Sequence, residues 1–194
     1  CEQIEWMCDQ NKRPTHLNGH QYLELIPAIA QLIPSLLSRY SIPAVRVALE
    51  PDLSRSVLRR GRVFDWSLGL IKRHFAKRFH RVMRMTSACF PDQYFGTAAA
   101  GRVDEPMLLC FLDCAERAKL TEIGLHPSSP VSRFENSEWS INQPPREWDD
   151  PIRDSRPHEL EILCSQTLPS ELLKRRLKLG RLKESAAKGR SDAS

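Results

Sequence analysis

Apolar residues recur at helical spacing from Tyr22 to Tyr40: Leu25, Ile26, Ile29, Leu32, Ile33, Leu36 and Leu37. Pro27 and Pro34 fall inside this stretch, which predicts a helix with a kink or a late start. Ile4, Trp6 and Met7 read as the end of an amphipathic helix. A basic amphipathic helix is predicted over Phe64 to Phe79. Another is predicted over Pro106 to Arg117, where the proline sits in the first turn and Met107, Leu108, Phe111, Leu112 and Ala115 form the apolar face. Two short helices are expected at about Pro157 to Leu163 and Ser170 to Leu179.

Between the helices lie short apolar runs. Ala44 to Leu49 (AVRVAL) predicts a buried parallel strand, Val82 to Cys89 a second, and Leu120 to Leu125 a third that ends at His126-Pro127. Pro14 and Asn18-Gly19 mark a loop or strand exit over Arg13 to Gly19. Ser128 to Pro157 is rich in Pro, Ser, Asn and acids, the composition of a long loop that lines a site. Helices alternating with short apolar strands predict an α/β fold with parallel strands, filling residues 1–180 and leaving 181–194 as a basic disordered tail. In such folds functional residues gather at the C-terminal ends of strands, which singles out the His16 to His20 turn and His126.

Composition changes this picture little. The chain has 194 residues, 41% hydrophobic and 27% charged, as expected of one ordinary soluble domain. No apolar run reaches the roughly 18–20 residues that span a bilayer, so a membrane is not an expected partner. Six scattered cysteines without a C-x-x-C pair read as reduced thiols, and no secretory signal is visible; both point to the cytoplasm. The first residue is Cys1 and the chain opens mid-pattern, which suggests the C-terminal part of a longer domain.

The net charge of +5 concentrates in Lys174 to Ser194 and in Asp52 to Arg84. Nucleic acid is not the expected partner, because the tail lacks the interleaved aromatics that stack bases; a solvated helix end accounts for it better.

Candidate chemistry comes from histidines. His16 and His20 stand four apart in THLNGHQ, and each imidazole can offer a nitrogen to a divalent metal. Gly19 would let the backbone turn sharply beside a ligand. His126 ends a strand, and Pro127 stops its pairing. By themselves these features also fit surface or hydrogen-bonded histidines.

The run PTHLNGHQYLELIP, then VRVALEP, then TEIGLHP, then Arg156, Glu159 and Leu160 in a late R-x-x-EL helix, resembles the YdjC (ChbG-like) family of carbohydrate deacetylases. Order and spacing agree from about Arg13 to Leu173. The resemblance implies a distorted (β/α) barrel of the TIM type, of which this chain would be the C-terminal part. It implies a divalent metal, Mg2+ first and Zn2+ second. It implies His20 as a metal ligand, with His16 and Asn18 beside it. Arg46 would orient the substrate or a carboxylate, and His126 would be the catalytic proton donor. The substrate class would be an N-acetylated sugar or oligosaccharide, and a homodimer would be one way to cover open strand edges. The metal role requires His20 to face a cleft at the strand ends.

This chain also departs from the family pattern. Asn18 stands where the family has Asp, and Tyr22 and Glu24 replace histidines. The family's Asp-Asp motif has no counterpart within these residues, so the fragment alone is expected to be inactive. Three readings follow. They are a metal-dependent deacetylase, a catalytically silent relative that binds sugar or protein, and a basic nucleic-acid module; the first is preferred.

Overall fold

The computed structural model describes residues 2–51, 63–116, 119–129, 152–182 and 184. The basic run before residue 63, most of the acidic loop and the end of the tail lie outside the described residues. Two compact units form: one from residues 1–98, 115–123 and 178–194, the other from 99–114 and 124–177.

The first unit holds helix α1 (Glu2–Asp9), a 3-10 turn (His20–Leu25), α2 (Pro27–Arg39), α3 (Val63–Met83) and strands β1 (Gln93–Phe95) and β2 (Thr121–Ile123). Helix α2 begins late, as the prolines predict: Pro27 occupies its first turn, where no backbone donor is lost. It buries Ala30, Ile33 and Leu37 against Val45, Val47, Ala76, Phe79 and Met83. Both α1 and α2 end in left-handed residues, Asn11 and Ser41. There Lys12 N–H bonds Met7 O and Ile42 N–H bonds Leu37 O, closing the last turn.

Parallel pairing runs through this unit. Leu17 bridges Val45, Ala44 bridges Cys89, and β1 pairs with β2 in the register Gln93–Thr121, Tyr94–Glu122 and Phe95–Ile123. The strand expected over Val82 to Cys89 is corrected: helix α3 continues to Met83, and only Cys89 joins a neighbour. The reason is periodicity, because Ala76, Phe79 and Met83 are buried at spacings of three and four and belong to the helix's apolar face. The run Ala44 to Leu49 pairs only at Ala44 and Val45, although Val47 and Ala48 stay buried.

The second unit holds α4 (Glu105–Cys114), α5 (Arg156–Leu163) and α6 (Leu168–Lys174). Asp104 Oδ1 accepts the Met107 N–H at 2.8 Å and caps α4, whose Met107, Leu108, Phe111 and Leu112 are buried. Arg175, just past α6, pairs with Asp113 at 2.7 Å and with Glu171.

Candidate functional site

His16 and Asn18 flank Leu17, which makes an isolated parallel bridge, His20 opens the 3-10 turn, and all three are exposed. The described residues therefore do not enclose His20 in a cleft. Gly19 is not there for its turn: its φ of −71° suits any residue. It is there for space, because a methyl group at Gly19 would overlap Glu24 Oε2. The sharp turn comes two residues later, where Gln21 (φ 50°) and Tyr22 (φ 61°) adopt left-handed backbone that bulky side chains rarely take. Tyr22 is held there by the Lys72 ammonium, 4.5 Å from its ring centre.

That turn carries Glu24 inward. Its side chain is 2% exposed, and among the described residues neither carboxylate oxygen has a hydrogen-bond partner. Burial pushes its carboxyl above the usual range, against the opposing pull of the Arg46 charge. Tyr22 and Tyr94 hydroxyls are likewise pushed up, chiefly by burial.

Arg46 follows the Val45 bridge. Its Nε donates to Glu122 Oε1 at 2.6 Å, Nη2 pairs with the same oxygen, and the guanidinium lies 5.6 Å from the Tyr94 ring centre. Tyr94 and Glu122 are register partners on β1 and β2, and the Arg46 side chain contacts both. The carboxylate that Arg46 orients is thus Glu122, which sequence reasoning quoted in TEIGLHP without giving it a role. Glu50, one residue beyond the AVRVAL run, is buried and accepts the N–H groups of Gly96 at 2.9 Å and Ala98 at 3.0 Å, fixing the turn after β1. Its signal was a carboxylate at the end of an apolar run, a position that demands donors.

In the second unit His126 is half-buried, and its backbone N–H donates to Glu159 Oε2 at 2.5 Å. His20 belongs to the first unit and His126 to the second.

The metal expected from resemblance can be tested against these side chains. Among the described residues no group of three His, Cys, Asp or Glu is placed to hold an ion. Glu24 is buried beside Gly19, while His16 and His20 stand in solvent. The described residues do not make a metal site. No helix of the described residues is long and apolar enough to cross a membrane.

The described residues are mixed helix with a small two-stranded parallel sheet and two further parallel bridges. The chain belongs to the family of YdjC-like proteins, whose model matches residues 1–174. That membership supports a carbohydrate-deacetylase-like hydrolase as its general class. No curated protein and no solved structure matches the chain.

Proposed function

We propose that the chain serves hydrolysis of the acetamide of an N-acetylated sugar, releasing acetate and the amino sugar. The observation that carries this is the family match over residues 1–174, which includes the HP histidine and the strand-end arginine. Water adds to the amide carbonyl, the C–N bond breaks, and the amine must leave with a proton. His126 is the residue for that transfer: an imidazole titrates in the right range, and its backbone is pinned. Arg46, whose Nε and Nη2 are engaged by Glu122 and which is backed by Tyr94, offers its remaining guanidinium donors to a hydroxyl or carbonyl oxygen of the sugar. The parallel pairing of Leu17, Val45, Cys89, β1 and β2 supports a (β/α) barrel as the architecture these residues serve.

Divalent-metal dependence belongs to the resemblance. Because the described side chains do not fit an ion, no step is assigned to one. The test is acetate release by the full-length protein from a panel of N-acetylated mono- and oligosaccharides, run with and without a chelator. Acetate released from at least one sugar supports the reading, and suppression by the chelator adds the metal. Sugar binding by calorimetry without acetate release favours the second reading, a silent sugar-binding relative. Asn18, Tyr22, Glu24 and the exposed His20 support that alternative.

A further inference from the structure

Glu159 is 1% exposed, yet it is a carboxylate inside an apolar unit. Burying a charge is tolerated only when donors surround it. Its donors come from two separate loops: Oε1 accepts the Val103 N–H at 2.9 Å, and Oε2 accepts the His126 N–H. The start of the same helix, α5, grips the same two loops again. Ser155 Oγ donates to Gly101 O, and the Ser128 N–H donates to Arg156 O at 3.3 Å. Gly101, at φ +72°, packs so closely on Ile152 that a side chain there would overlap it. Pro127 fixes the backbone immediately after His126.

We propose that Glu159 is a positioning residue for His126, holding through the backbone N–H the direction in which that imidazole points. This rests on the proton-donor reading of His126. A carboxylate suits the task because both its oxygens accept. A glutamine offers one oxygen and one NH2, and its NH2 would confront a backbone N–H. One charge thus registers the two loops against each other and sets the ring's orientation, and displacing a reacting group by about 1 Å costs on the order of 100-fold in rate.

The test compares Glu159→Gln with Ser155→Ala, which removes only the bond from the same helix to Gly101. Folding is checked by circular dichroism. Two NMR readouts, amide exchange at His126 and the titration midpoint of its ring, are combined with kcat and KM. Glu159→Gln should speed exchange of the His126 amide by about tenfold or more and move the ring's midpoint. It should also lower kcat by about tenfold or more while KM stays within about twofold. Ser155→Ala should lower Tm alone. If Glu159→Gln is folded and lowers Tm without moving either NMR readout, the proposal is overturned. Should Glu159→Gln fail to fold, Glu159→Asp replaces it under the same criteria. If the full-length wild-type protein releases no acetate, the deacetylase reading falls by itself, and the two NMR readouts still decide whether Glu159 positions His126.

Discussion

At residue scale the decisive feature is Glu24. A carboxylate with both oxygens buried and without partners among the described residues costs stability, typically about 1–3 kcal/mol. Burial raises its folded-state pKa, so the fold prefers the protonated acid. Stability contributed by a raised carboxyl is present below the ordinary value of 4.5 and is lost as pH rises through the folded value. Glu24→Gln should therefore raise Tm at pH 7 by about 2–4 °C and change it little below pH 4.5; an equal gain at both would contradict this account. Gly19 is tied to the same group. Gly19→Ala should cost about 1–3 kcal/mol through overlap with Glu24, and pairing it with Glu24→Ala should recover part of that loss. A purely additive double mutant by thermal denaturation would remove the steric explanation. The sequence pattern pointed to Gly19 and Glu24 but not to their relation, because spacing reveals a turn and not what fills the space beneath it.

At the scale of elements, helices were legible and strands less so. Helix α2 lies where its periodicity and Pro27 placed it, and α4 agrees with the Pro106 to Arg117 reading within a few residues. Helix α3 overran the reading because Val82 is β-branched and Met83 apolar, a composition shared by buried strands and helix faces. Strand β1 escaped notice because Gln93–Phe95 is three residues long, too short to show a period. Helix ends were also hidden: α2 stops on Ser41 in left-handed backbone, where glycine is the usual residue. Ser41→Gly should raise Tm by about 2–4 °C, since removing a left-handed side chain is worth roughly 1 kcal/mol. A fall in Tm would show that the exposed serine is held by something other than helix termination.

At the scale of the whole molecule, family membership was legible because its motifs are local strings: THLNGH, VRVALEP and TEIGLHP survive as text. The site's supports were not, because Arg46 meets Glu122 across 76 residues and His126 meets Glu159 across 33. Nothing in a linear pattern reports such pairings. The metal expectation fared differently from the strand-end one. His20 stands three residues past a parallel bridge, at the start of the 3-10 turn, and no described group of ligands joins it. The claim on which the account depends is that the chain serves carbohydrate deacetylation through His126. The most direct measurement is kcat of the full-length protein for acetate release from the best N-acetylated sugar, wild type against His126→Ala. The account predicts a fall of about 100-fold or more with KM little changed, as general acid catalysis typically contributes on the order of 10²–10⁴. Turnover within about threefold of wild type in a folded His126→Ala protein would contradict it.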